Sequence, residues 1–286
     1  MQFARLGARG AEKPAVRGED RFFDISPVTA DIDGAFFASD GPVRVERELR
    51  AGRLSEIPKA ETLRRGPPIA RPGLVVCIGM NYAAHAAESG SAPPSSPIIF
   101  LKPPNTVVGP DDEVMIPRGS RKTDWEVELG VVIGRTASYL DSPAESMAHV
   151  AGFVTANDLS EREWQLEVSG GQWSKGKSAL GFTPVGPLLV TPDEVDHDGV
   201  RLRSWVGGEP RQDSTTRDLI FGVEFLVHHL SQYLQLDPGD LILTGTPEGV
   251  ALSGRFPYLS AGDVCEIEVE GLGRQRQVFA SAEAAA

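Results

Sequence analysis

The sequence predicts a β-rich α+β fold, on three observations. Residues 124–134 alternate: Asp124, Glu126 and Glu128 fall on one side and Trp125, Val127 and Leu129 on the other, which is the period of a strand. Residues 74–280 contain further short apolar runs punctuated by Gly and Pro turns. Helical periodicity is scarce, with one strong amphipathic stripe at Leu219, Ile220, Val223, Leu226, Val227, Leu230 and Leu234. An α/β fold with a helix after every strand lacks the helices it needs, whereas a β-rich domain, with barrel-like closure as one form, accommodates the pattern.

In chain order, residues 1–70 read as a small, weakly structured N-terminal domain with strand-like pieces at 21–25 and 43–45. Gly66-Pro67-Pro68 and Arg71-Pro72-Gly73 mark a linker, so the second domain spans residues 71–286. Residues 74–78 read as a buried strand, 81–89 as a short helix, 91–97 as a Ser/Pro loop and 97–101 as another strand. After the strand at 124–134 come a helical stretch at 144–150 and a strand at 152–156. The helix at 216–234, with Ser214-Thr215-Thr216 as its cap, precedes closing strands at 240–244 and 264–269.

The chain has 286 residues, 41% hydrophobic and 24% charged, the profile of an ordinary globular protein. No apolar run is long enough for a membrane span, and the N-terminus has no signal-type apolar stretch. Cys77 and Cys265 sit in apolar runs and form no disulfide framework, so a cytoplasmic setting is expected. A net charge of −12 argues against nucleic acid as a partner, but not against a small anionic substrate.

Glu126 and Glu128 are two apart on a strand, so their carboxylates share a face. Like charges in so apolar a run need a partner, and a hard divalent cation with oxygen ligands is the natural one. Asp158 follows a strand and offers a third carboxylate. Three carboxylates without His or Cys suit Mg²⁺ or Mn²⁺ better than Zn²⁺. His85 and Glu88 are three apart on the short helix, where a carboxylate against one ring nitrogen makes the other more basic and able to activate water; an exposed helical pair of no consequence is the alternative. His149 and His197 lack partners in the sequence, and His228 and His229, adjacent on the amphipathic helix and pointing about 100° apart, read as structural. Residues 171–178 match the phosphate-loop pattern, but two prolines and two glycines follow Ser178 where that motif requires a helix. Lys177 is retained as a cation aimed at a substrate carboxylate.

Five segments together resemble the fumarylacetoacetate hydrolase family: Ile78-Gly-Met-Asn-Tyr-Ala-Ala-His-Ala-Ala-Glu88, Thr123-Asp-Trp-Glu-Val-Glu-Leu-Gly-Val-Val-Ile-Gly134, Asn157-Asp158, Gly176-Lys-Ser178 and Thr244-Gly-Thr-Pro-Glu-Gly-Val250. The resemblance covers about residues 74–280. It implies a β-roll core with a small N-terminal domain, a homodimer, and Mg²⁺ or Mn²⁺ on Glu126, Glu128 and Asp158. It implies His85 and Glu88 as a water-activating pair on a lid, with Lys177 beside them, and Arg162, Gln165 and Thr246 as substrate contacts. The activity it implies is cleavage of a C–C bond in a 2,4-diketo acid to release pyruvate. Oxaloacetate decarboxylation and isomerisation of 2-hydroxy-diene-dioates are alternatives within the family, and an inactive metal-containing binding protein is a further one. Residues 119–128, 160–162 and 170–177 are most similar to the branch of 2,4-diketo-3-deoxy-L-fuconate hydrolases, often labelled ureidoglycolate lyases. The chain departs from the family at Leu180 and Gly181, where many relatives carry Asp-Thr. The lid segment, residues 81–97, is expected to be mobile without ligand, because a nine-residue Ala-rich helix is marginal alone.

Overall fold

A computed structural model describes residues 1–282. Its centre is the antiparallel pair Val127–Ile133 and Val150–Asn157, registered from Val127 against Asn157 to Ile133 against Val150. This pair lies within an eleven-stranded mixed sheet that continues through Leu241–Leu243, Val75–Gly79 and Ile98–Lys102 on one side. On the other side Leu189–Val190 joins it to Gln2–Leu6 and the N-terminal strands. A second sheet of five strands, containing Arg201–Val206, Val264–Val269 and Gly273–Ser281, packs across the central pair.

Both faces of the Val127–Ile133 strand are therefore covered, and all seven of its residues are buried. Trp125, Val127, Leu129, Val131 and Ile133 enter one apolar core, while Val132 enters the other. The alternation seen in the sequence thus separates two interiors, and does not separate interior from solvent. Gly130 and Val132 continue the side chains of Glu126 and Glu128 along the second face. The expected strand at 124–134 is interrupted. Thr123–Asp124 pairs instead with Ser160–Glu161 as a two-residue ladder. The Glu126 amide donates to the side-chain Oδ1 of Asn157 at 3.0 Å, which takes residues 125–126 out of the main ladder.

Residues 1–70 are more ordered than their sequence suggests. Gln2–Leu6, Lys13–Gly18 and Arg21–Asp24 form a meander, and residues 43–45, expected as extended, lie in the helix Gly41–Arg50. The apolar Val43 and Val45 are compatible with either form, and Pro42 in the first helical turn favours the helix. The helix expected at 216–234 is confined to Val223–Ser231, after a single 3₁₀ turn at Thr216–Asp218. Between them the chain is diverted: the amides of Ile220 and Phe221 donate to the backbone and side-chain oxygens of Asn81. Residues 144–150, helical in tone, form a 3₁₀ helix at Pro143–His149. Among the described residues no helix is long and apolar enough to cross a membrane.

Phe153 sits at the middle of the central pair, opposite Val131 and Val190, with its ring stacked on His197 at 5.1 Å. It is fully buried. Phe153→Ala is expected to cost about 3–5 kcal/mol of folding stability. Urea unfolding measures this, and an unchanged midpoint contradicts the packing described.

Candidate active site

The central strands deliver three carboxylates to one place. Glu128 lies on the Val127–Ile133 strand, Glu126 just before it, and Asp158 just beyond the end of the Val150–Asn157 strand. One oxygen from each lies within 4.8 Å of the others, and all three residues are buried. The Glu-x-Glu spacing and Asp158 therefore converge as the sequence suggests.

The charges around them are arranged in layers. Lys177 Nζ donates to Glu126 Oε2 and Asp158 Oδ2, both at 2.7 Å. Lys102 Nζ lies on the other oxygen of Asp158, Oδ1, at 2.5 Å, and also donates to the carbonyls of Leu159 and Phe182. Arg162 forms ion pairs with Asp124 at 2.8 Å and Glu126 at 2.7 Å. Asp124 also accepts the amides of Ala251 and Leu252, which fastens the 250–252 turn behind the site.

These partners set the protonation states. Burial raises the Glu126 carboxyl, but Lys177 and Arg162 outweigh it and bring the pKa to about 2. Burial, followed by the negative charges of Asp158 and Glu126, pushes Glu128 well above the usual carboxylate range. Burial lowers Lys177, yet Asp158 and Glu126 prevail and keep its pKa above the ordinary value, so it is an ammonium.

Glu128 forms no salt bridge among the described residues; the Gly245 amide donates to its Oε2 at 2.8 Å. Gly245 has φ +104° and a Cβ there would meet Asn81 Cβ at 2.7 Å, so the turn that delivers this amide requires glycine. Hard carboxylate oxygens from three residues, one of them uncompensated, fit a divalent cation of the Mg²⁺ or Mn²⁺ type.

The second candidate pair is also brought together. His85 and Glu88 lie on the helix Ala83–Glu88, with His85 Nδ1 at 3.1 Å from Glu88 Oε1. Burial raises the Glu88 carboxyl, but His85, the Gly249 amide and Arg255 together bring it below the usual value. A Glu88 carboxylate can only accept, so Nδ1 carries the proton and Nε2 is left as the basic nitrogen. Glu88 is held from three directions: by His85, by the Gly249 amide at 3.0 Å and by Arg255 Nη2 at 2.5 Å. The helix expected as a loose lid is seated here, with His85 and Ala86 buried. Its entry is anchored by Asn81, whose side-chain amide donates to the carbonyls of Thr244 and Phe221.

Both groups, the carboxylates Glu126 and Glu128 and the pair His85 and Glu88, line one cavity of about 290 Å³. Arg162, Gln165, Lys177 and Thr246 line it too. The hydroxyl of Thr246 donates to the Val127 carbonyl and accepts from Gln212, and Gln165 Oε1 accepts from Arg162 at 3.0 Å. Lys177 reaches the site from the helix Ser174–Lys177. Gly176 makes that possible: a Cβ there would meet the Glu161 carbonyl at 2.4 Å. No helix follows Ser178, in keeping with rejection of the phosphate-loop pattern.

Sequence reasoning missed Lys102, Asp124, Gln212 and Arg255. Lys102 had a signal, as the one charge ending the apolar run Ile98-Ile-Phe-Leu. Asp124 was visible only as part of the alternation. Gln212 and Arg255 carried no local signal. His197, read as partnerless, lies 3.0 Å from Glu224 and against the Phe153 ring.

Residues 74–280 match the model of the fumarylacetoacetate hydrolase C-terminal family. The chain belongs to the fumarylacetoacetate hydrolase family. It is 42% identical over 283 residues to a 2,4-didehydro-3-deoxy-L-rhamnonate hydrolase of a Sphingomonas species, covering 97% of this chain and 95% of that protein. Among solved structures it resembles a 5-carboxymethyl-2-hydroxymuconate delta-isomerase from Mycobacterium smegmatis, with TM-score 0.77, 30% identity, and 98% and 99% of the two chains covered. It also resembles a maleylpyruvate hydrolase from a Sphingobium species in complex with manganese(II) and pyruvate, with TM-score 0.80, 26% identity, and the same coverage. The β-rich α+β architecture described above is the fold of this family.

If Glu126, Glu128 and Asp158 are the cation's ligands, Glu126→Gln and Asp158→Asn each weaken Mn²⁺ binding by at least about 10-fold, a loss that even outer-shell partners of a metal produce. Titration calorimetry reads this directly, and unchanged affinity in both variants moves the cation elsewhere.

Proposed function

We propose that this chain is a divalent-metal-dependent hydrolase that splits a C–C bond in a 2,4-diketo acid and releases pyruvate. The observation that carries the reading is the shared cavity: a basic imidazole nitrogen backed by Glu88 lies beside a buried carboxylate trio and two fixed cations, Lys177 and Arg162. Family membership and the sugar-acid hydrolase among its relatives support a hydrolytic reading and a sugar-acid substrate.

A divalent cation at the three carboxylates supplies a Lewis acid for the negative charge that develops on the substrate's oxo-acid end. His85 Nε2 accepts a proton from a water, whose oxygen adds to the carbonyl carbon distal to the carboxylate. Glu88, accepting from Nδ1, stabilises the imidazolium that results. The bond between that carbon and C3 of the pyruvyl part then breaks, and the electron pair stays with C3 as the pyruvate enolate. The proton held on His85 is available to C3, which completes pyruvate and leaves the other fragment as a carboxylic acid. Lys177 and Arg162, fixed by Glu126, Asp158 and Asp124, place positive charge on the wall of the cavity at the oxo-acid end.

Decarboxylation of oxaloacetate and isomerisation use enolate stabilisation without an attacking water, and the His85–Glu88 pair favours hydrolysis over both. Pyruvate release from a panel of acylpyruvates and 2,4-diketo sugar acids is expected, lost with EDTA and restored by Mg²⁺ or Mn²⁺. Turnover of oxaloacetate alone overturns this ranking, and undiminished activity after complete chelation overturns the metal requirement.

The pair is tested separately from the metal. His85→Ala and Glu88→Ala are expected to lower kcat by about 10²-fold or more, while Mn²⁺ affinity measured by calorimetry stays within a few-fold of wild type. Full hydrolytic turnover in either variant assigns water activation to another residue.

A further inference from the structure

The cavity has an aromatic boundary that the proposed chemistry does not use. Next to it lies an open groove of about 600 Å³, lined by Ile98, Ile99 and Leu101 of the edge strand Ile98–Lys102 and by residues 171–174. Phe100 and Trp173 line both spaces, and their rings meet edge to face with centroids 5.7 Å apart. This pair of rings separates the cavity from the groove. The two are held differently. Phe100 is 8% exposed, lies in a paired strand and carries the Lys177 ammonium over its face at 5.1 Å. Trp173 is partly buried, and its indole N–H makes no hydrogen bond among the described residues, so packing alone places the ring. The edge of the indole rests on Gly79, where a Cβ would meet Cζ3 at 2.3 Å. Glycine at that position lets a ring of this size lie against the strand and reach the cavity wall.

Depth gives the substrate a direction. Glu126, Glu128, Asp158, Arg162 and Lys177, the groups at the oxo-acid end, are at most 5% exposed. A substrate held there runs outward, and the far end of its arm meets the partly exposed wall. We propose that Trp173 is a specificity-determining residue that limits the length of that arm: its indole closes the cavity against the groove, so that short arms are accepted and long straight-chain arms are excluded. The proposal rests on the reading above that the oxo-acid end sits at the carboxylates, and deepens it. Without the indole, the cavity opens onto Ile98, Ile99 and Leu101, an apolar surface on which a longer alkyl arm gains contact.

The test is a binding measurement, so it does not depend on hydrolysis. Titration calorimetry compares 2-oxobutanoate with 2-oxodecanoate on the Mn²⁺-loaded protein, in wild type and in Trp173→Ala. Wild type is expected to bind the long acid no more tightly than the short one. Trp173→Ala is expected to shift the ratio of the two affinities at least about 10-fold towards the long acid, while affinity for the short acid and for Mn²⁺ stays within a few-fold of wild type. Trp173→Phe, a smaller ring that keeps an aromatic contact with Phe100, is expected to shift the ratio in the same direction by a smaller factor, and it tests the wall with the local packing preserved. An unchanged ratio in both variants, or a wild type that already binds the long acid at least about 10-fold more tightly, overturns the proposal. Binding of neither acid removes the oxo-acid site and the proposal with it. Length discrimination without pyruvate release in the assay above supports the proposal and removes the hydrolytic reading alone.

Discussion

Burying Glu126, Glu128 and Asp158 together is the constraint to which the rest of this site responds. Three buried carboxylates with oxygens within 4.8 Å of one another repel strongly, and each loses most of its hydration. The fold answers with cations brought from far away in sequence. Lys102 comes from the edge strand Ile98–Lys102 of the large sheet, Lys177 from a four-residue helix, and Arg162 from just beyond the two-residue ladder at Ser160–Glu161. Each is nearly or fully buried, so each depends on the carboxylates as much as they depend on it. Removing one member of such a set leaves its partners uncompensated, and costs about 3–5 kcal/mol in comparable buried pairs. Glu128 is the exception. Making no ion pair among the described residues, it is the position at which a further positive charge is most favourable.

This explains how the two interiors and the site relate. The central strand gives its odd-numbered residues to one apolar core and Val132 to the other, while Glu126 and Glu128 occupy the second face at its N-terminal end. Glu128 is still in the ladder; at Glu126 regular pairing stops, and Asn157 takes the Glu126 amide through its side chain. The strand break is thus local to the site. Beyond it the side chains of Glu126 and Asp158 meet the cations, while Trp125 and Leu159 stay in the apolar core.

Much of the site was legible because its chemistry is concentrated in short segments. Glu126 and Glu128 are related by strand period, His85 and Glu88 by helical period, and Asp158 ends an apolar run. The partners that stabilise them were less legible, because Lys102, Arg255 and Gln212 lie 56, 167 and 34 positions from the residues they contact. Only tertiary pairing brings them in. The N-terminal residues were misjudged for the same reason. Gln2–Leu6 is short and interrupted by charge, and it is stabilised by pairing with Leu189–Val190 in the large sheet. The departure at Leu180 and Gly181 proves to matter little for Lys177. Leu180 is 72% exposed, and the ammonium is held by Glu126 and Asp158 instead.

The short helix carrying His85 shows how a marginal element becomes a defined part of the candidate site. Six residues cannot sustain a helix alone. Its two ends are tied differently. At the entry, Asn81 makes three side-chain hydrogen bonds to Phe221 and Thr244, largely away from water. At the exit, Glu88 is tied to Gly249 and to Arg255, whose side chain is 55% exposed. An ion pair with one exposed partner is worth little, because solvent competes for it. A buried side-chain network is costly to break. Of the two tethers, the one at Asn81 is the more deeply buried. The same tether that closes the helix also holds Glu88 against His85. The contacts that seat the helix are thus the contacts that orient the proton on Nδ1, which ties the proposed water activation to the seated helix.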